Sequence, residues 1–162
     1  MASRARNGEI DATDRKILAL LQDDASINLA DLAERVNLSK TPCWRRIQKL
    51  EKSGLIRGRV ALLDPHKLGP LLTVFVHVKT SKHNAEWLEQ FAESVSALPE
   101  VMEFYRLSGE WDYFIRVMVP DVYAYDTFYK KLVGSADLLN VTSSFAMEEI
   151  KYSTALPLEA AG

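Results

Sequence analysis

Apolar positions along the chain keep two different rhythms. In the first third they recur every three or four residues, the spacing of one face of a helix. Ile17, Leu18, Leu20 and Leu21 predict a helix ending near Asp23, entered through an Asp11 cap with Asp14 in its first turn. Leu29, Leu32, Ala33 and Val36 predict a shorter helix behind an Asn28 cap, with Asp31 at its start. Asn37-Leu38-Ser39 then forms a tight turn, because asparagine tolerates the left-handed backbone such a turn needs. Beyond it Cys43, Ile47 and Leu50 stand at i, i+4 and i+7, on a third helix capped by Ser39 or Thr41, with Pro42 in its first turn and Ser53-Gly54 closing it. Short helix, three-residue turn and second helix make a helix-turn-helix, and the first helix packs across it. The expected core is Ile17, Leu21, Leu32, Val36, Cys43, Ile47 and Leu50.

Later the rhythm shortens to alternation. Leu55 to Leu63 favours an extended strand, and Asp64-Pro65 with Leu68-Gly69-Pro70 marks a turn-rich connection. From Leu71 to Thr80, Val74, Val76 and Val78 share one face of a strand while Phe75 and His77 take the other. Asn84 caps a helix burying Trp87, Leu88, Phe91, Ala92, Val95 and Leu98, stopped by Pro99. Strands over 101–107 and 111–119 meet at the hairpin signal Ser108-Gly109-Glu110. Pro120-Asp121 starts a helix burying Tyr125, Phe128, Tyr129 and Leu132, and 141–152 forms the last strand. The order β-α-β-β-α-β is that of a ferredoxin-like sheet with helices on one face, and its apolar open face is expected to meet a second copy. The class is therefore α+β. The expected division is a flexible tail over 1–9, a helix-turn-helix domain over 10–54, a linker strand or hinge over 55–70, the βαββαβ domain over 71–153 and a tail over 154–162.

Charge sharpens this division. Through Val60 there are 12 lysines and arginines against 8 acids, and from Ala61 onward 8 against 14, so a basic front precedes an acidic back. Between Lys40 and Arg59, seven basic residues face one acid, Glu51. A solvated amphipathic helix carries such a run equally well, but the preceding helix and turn favour DNA. The candidate DNA contacts are Ser39, Lys40, Thr41, Trp44, Arg45, Arg46, Gln48, Lys49 and Lys52. Arg45 and Gln48 suit base edges, whereas Arg46, Lys49 and Lys52 suit phosphates. The longest uncharged apolar run, 68–78, is too short to span a membrane and contains Gly69, Pro70 and His77. With no signal-peptide pattern at the amino terminus, a cytoplasmic protein without a membrane partner is expected. Cys43, the single cysteine, reads as a core residue, and no Cys/His spacing suits zinc, so neither metal nor other cofactor is expected. Glu110 with Asp112, or Glu148 with Glu149, are imaginable acid–base pairs. The latter are consecutive and on a strand point to opposite faces, and His66, His77 and His83 lack matched partners, so no enzyme is expected.

Five stretches carry a resemblance: Asp11-Ala-Thr-Asp-Arg-Lys-Ile-Leu, Leu32-Ala-Glu-Arg-Val, Ser39-Lys-Thr-Pro-Cys-Trp-Arg-Arg-Ile-Gln-Lys-Leu-Glu-Lys-Ser-Gly-Leu-Ile, Gly109-Glu-Trp-Asp-Tyr and Thr142-Ser-Ser-Phe-Ala-Met-Glu-Glu-Ile-Lys. In this order, over about residues 10–158, the chain resembles the Lrp/AsnC or feast/famine regulators. One departure is Asn37, where many members carry glycine. The resemblance implies a winged helix-turn-helix domain, a RAM-type ligand-sensing domain, double-stranded DNA as partner, and homodimers paired through their sheets that commonly assemble into octamers. It implies an effector amino acid bound between sensing domains near Gly109-Glu-Trp-Asp112. The expected effector residues are Phe104, Gly109, Glu110, Asp112, Tyr113, Ser143 and Ser144, with Gly109 admitting the ligand to the backbone and Asp112 holding its ammonium group. The alternative is that Gly109 merely makes the turn and Asp112 caps it. Leu62-Leu-Asp-Pro, Phe128-Tyr-Lys-Lys-Leu-Val and the Thr142 stretch resemble a branch reported to sense cysteine, while branched-chain amino acids, proline and alanine stay open. A nucleoid-like architectural DNA-binding protein without effector is the competing class.

Overall fold

The computed structural model describes residues 10–82 and 84–158. The expected tail over 1–9, His83 and residues 159–162 lie outside them. The chain divides into two compact units: residues up to Leu62 together with those from Lys151 onward, and residues Leu63–Ile150.

In the first unit, α1 (Ala12–Asp23) starts at a capping box in which Asp11 accepts from the Asp14 amide at 2.8 Å and Asp14 accepts from the Asp11 amide at 3.4 Å. The short helix α2 (Leu29–Arg35) is capped by the Asn28 side chain, which accepts from the Ala30 and Asp31 amides. Asn37 takes a φ of 55° in the turn, as its side chain permits. Ser39 stands at the N-cap of α3 (Lys40–Lys52) but makes no side-chain cap hydrogen bond, contrary to the expected cap. Gly54, at φ 76°, ends the helix, and the Leu55 and Ile56 amides return to the Leu50 carbonyl. Ile17, Leu18, Leu32, Ala33, Val36, Cys43, Ile47 and Leu50 form one buried cluster, with Leu21 at its margin. Burying each large aliphatic side chain stabilises the unit by about 1.5–3 kcal/mol. Residues 55–63, expected as a linker strand, form no strand ladder among the described residues, and Val60, Leu62 and Leu63 are exposed. Strand-favouring residues without a partner strand give an extended segment only.

In the second unit a turn of 3-10 helix (Pro65–Lys67) precedes β1 (Leu72–Lys79), α4 (Ala85–Ser96), β2 (Val101–Arg106), β3 (Tyr113–Val119), α5 (Val122–Ser135) and β4 (Asn140–Phe145). The sheet order is β2-β3-β1-β4, antiparallel throughout, as the βαββαβ reading requires. Val74, Val76 and Val78 of β1 pair with Val117, Ile115 and Tyr113 of β3, and all face α4 and α5. Trp87, Phe91 and Val95 from α4 and Tyr125, Phe128 and Leu132 from α5 complete that core. The last strand is shorter than expected: Ala146 donates to the Thr73 carbonyl at 2.9 Å, and from there the chain leaves the sheet.

Candidate functional site

The candidate recognition element is α3, and its two faces differ sharply. Cys43, Ile47 and Leu50 are turned into the core, while Thr41, Arg45, Lys49 and Lys52 form one exposed row on the opposite side. Ser39 and Lys40 stand exposed at its start, and Trp44 is half exposed beside the row. Gln48 is half-buried on the same flank as Trp44, and its Nε2 donates to Glu51 at 2.8 Å. Glu51 also accepts from Arg59 Nη2 at 3.2 Å.

Arg46, expected to contact phosphate, is engaged within the unit. Its Nη1 donates to Asp11 at 2.6 Å and to Asp14 at 2.8 Å, tying α3 to the start of α1. The Asp14 side chain is 5% exposed, so this pairing compensates a buried carboxylate. The Asp14 amide and the Arg46 guanidinium hold the Asp11 carboxyl below its ordinary value, and Asp14 and Asp11 push the guanidinium up. Burial raises the Cys43 thiol, which keeps it protonated and inert, as a core residue should be.

The residues expected around an effector divide by strand alternation. Tyr113 is 2% exposed beneath the helices, and its ring packs on Phe91 at 5.4 Å. Phe104 packs on Phe91 at 5.6 Å. Ser143, opposite Val76, lies on that same covered face and hydrogen-bonds the Tyr125 hydroxyl. These three belong to the core side, away from the open face where a second copy was expected. Ser144, opposite Phe75, is on the open face. Gly109, at φ 141°, and Glu110 are exposed in the hairpin, and a side chain at 109 would meet open space. Asp112 closes the hairpin: its backbone carbonyl accepts from Leu107 at 2.8 Å and its amide donates to Val78 at 3.0 Å. Its Oδ2 accepts from the buried Thr80 amide at 2.8 Å. The carboxylate expected either to hold a ligand's ammonium or to cap the Gly109 turn thus caps the backbone just beyond β1 instead of that turn.

The open face carries an aromatic cluster outside the expected effector residues. Phe114 lies 5.8 Å from Phe75, 5.4 Å from His77 and 6.2 Å from Tyr105, between ring centroids, and His77 lies 5.7 Å from Trp111. Arg116 beside it is held by Glu103 at 2.6 and 2.7 Å. Alternation had already put Phe75 and His77 opposite the valines, so their antiparallel neighbours on β3 follow by parity once the register is known.

A three-helix module presenting a basic row, joined to an antiparallel sheet with a helix-covered face and an aromatic open face, defines a DNA-binding regulator with an appended ligand-binding domain. Residues 10–57 match the family model for winged helix-turn-helix DNA-binding domains, and residues 73–156 that for the Lrp/AsnC ligand binding domain. The chain belongs to the Lrp/AsnC family of transcriptional regulators. It is 54% identical to the DNA-binding transcriptional activator DecR of Escherichia coli K12, over 93% of this chain and 99% of that one. An AsnC family transcriptional regulator from Agrobacterium tumefaciens superposes with a TM-score of 0.89 at 57% identity, over 93% of this chain and 98% of that one. The regulator NMB0573 of Neisseria meningitidis, solved as an L-methionine complex, superposes at 0.88 with 37% identity, over 94% and 99%.

Proposed function

We propose that this regulator works in the cytoplasm as a self-assembled dimer, itself a building block of octamers, whose operator affinity is set by a small amino acid bound between sensing domains. The observation that carries this reading is the aromatic open face of the sheet, with Phe75, His77, Trp111 and Phe114 half-buried around the end of an exposed glycine hairpin. A face of this kind is a liability on a monomer and an interface in an assembly. We assign the effector to the Leu107–Asp112 hairpin and the adjoining open face, with Gly109 and Glu110 in the hairpin, Ser144 farther along the open face on β4, and Asp112 both orienting the hairpin and offering negative charge to an ammonium group. Burying a zwitterion demands opposed donors and acceptors, which the hairpin backbone and these polar side chains offer. The L-methionine complex of the neisserial relative supports an amino acid as the ligand class. Cysteine is the first candidate, followed by methionine and other small amino acids.

For DNA, we assign Thr41, Arg45 and Gln48 to base edges and Lys49 and Lys52 to phosphates, with Ser39, Lys40 and Trp44 at the margin. Gln48 meets DNA through the acceptor that its bond to Glu51 leaves over. A binding protein, and no enzyme, is supported by relatives named as regulators. The test is a thermal-shift screen of the purified protein against the twenty amino acids, followed by gel-shift titration with whichever stabilises it. A ligand that raises the melting temperature and changes operator affinity upholds the reading. Stabilisation by none of them moves the protein to the architectural class.

A further inference from the structure

We propose that α1 carries a docking groove for an extended apolar segment, that its occupant is this chain's own Leu156-Pro157-Leu158, and that this contact is a second route from sensing sheet to recognition module. Within the first unit the Gln22 side-chain amide grips Leu156 by both backbone groups: Oε1 accepts from the Leu156 amide at 2.7 Å, and Nε2 donates to its carbonyl at 3.2 Å. This paired pattern is what a neighbouring β-strand would offer, supplied here by one side chain. The Arg15 guanidinium donates to the Leu158 carbonyl, and the Leu158 side chain packs against the cluster that holds Ile17, Cys43 and Leu50. Arg15 and Gln22 lie two helical turns apart, so they hold the segment at two points while it runs opposite to the helix.

The occupant suits this grip. Pro157 has no amide to leave unsatisfied between the two anchors, and it restricts Leu156 to extended backbone, which lowers the entropy lost on docking. Before the anchors the chain stands off: Ala19, Gln22 and Asp23 enclose with Leu62, Tyr152–Leu156 and Leu158 a cleft of about 560 Å3. Leu156 itself is exposed. The segment is thus anchored at Gln22, Arg15 and the Leu158 side chain with Leu156 left in solvent, as suits a strap more than a core strand. Residues 151–156 match the ligand-binding family model yet pack with the DNA-binding unit. The ten residues between the end of β4 at Phe145 and Leu156 form a covalent tether of at most about 36 Å between sheet and docked segment, and Arg46 links α1 to α3.

The coupling part rests on the reading of an amino-acid effector; the docking part does not. Three proteins test both: the full chain, the full chain with Arg15→Ala and Gln22→Ala, and a chain ending after Thr154. In hydrogen exchange, α1 amide protection falls about fivefold in the double variant and in the truncated chain. A fluorescent peptide of residues 153–162 binds the truncated chain, and the two alanines abolish that binding. Equal α1 protection in all three proteins overturns the docking, as does peptide binding indifferent to the alanines. With L-cysteine or L-methionine as probe, the double variant keeps wild-type amino-acid affinity by calorimetry while the ligand's effect on operator affinity shrinks by about fivefold or more. An undiminished effect overturns the coupling. A wild-type chain that binds neither probe counts against the effector reading, and exchange and peptide binding still decide the docking.

Discussion

Arg45 and Arg46 are adjacent in sequence and opposite in surroundings. Arg45 lies in the exposed row of α3, so Arg45→Ala is expected to weaken operator binding by about 1–3 kcal/mol in a gel shift while leaving the melting temperature unchanged. Arg46→Ala strands the buried Asp14 carboxylate, and its expected effect is a stability loss of about 1–3 kcal/mol by urea unfolding. The pair also sets an acid response. Asp11 is held low by the Asp14 amide and Arg46, so its contribution is fully present above its unfolded pKa, near 3.9, and is lost as pH falls through the lower folded value. Urea midpoints are therefore expected to drop below about pH 4 in the wild type and to drop less in Arg46→Ala. A helical wheel puts Arg46 on the margin of the buried stripe, where inward and outward reach are equally open. Its partners stand 35 and 32 residues earlier, and no local pattern announces a contact at that separation.

At the level of elements, the turn and the hairpin each make a separable demand. Asn37 holds φ at 55°, so Asn37→Val is expected to cost about 1–2 kcal/mol in thermal unfolding, whereas Asn37→Gly is neutral or slightly stabilising. Asp112→Ala leaves the buried Thr80 amide unpaired, with an expected loss of about 1–3 kcal/mol, while Asp112→Asn keeps an acceptor there and removes the charge. If Asp112 also faces the effector's ammonium group, Asp112→Asn loses effector affinity in calorimetry at nearly unchanged stability. Unchanged affinity would confine Asp112 to closing the hairpin. Helix starts and strand order were legible because caps such as Asn28, Asn84 and Asp121 and the alternating valines are local signals. The effector set was less legible: consecutive residues on a strand part company, so Tyr113 falls into the core while Phe114 turns to the open face. Only the packing of α4 and α5 decides which of the two is which.

For the whole molecule, the open face predicts an assembly. Phe114→Asp places a charge at the centre of the aromatic cluster without touching the helix-side core, so light scattering is expected to return monomers with retained circular dichroism. Operator binding by that variant falls as well, since a dimer reads two half-sites spaced by about one helical turn of DNA or a multiple of it. An assembly that persists in the variant would place the interface elsewhere. The residues from Lys151 to Leu158 were expected as the end of a strand and a tail, since Leu-Pro-Leu carries no periodicity and hydrogen bonds to Gln22 leave no trace in composition. Their place in the first unit makes the sensing unit an insertion between residues 62 and 151. Recombination between related genes with a single crossover in the linker therefore separates one parent's groove from its own tail. Chimeras that keep Arg15, Gln22 and the Leu-Pro-Leu segment from one parent preserve the joint, and regulators of this kind are expected to exchange sensors by double crossovers.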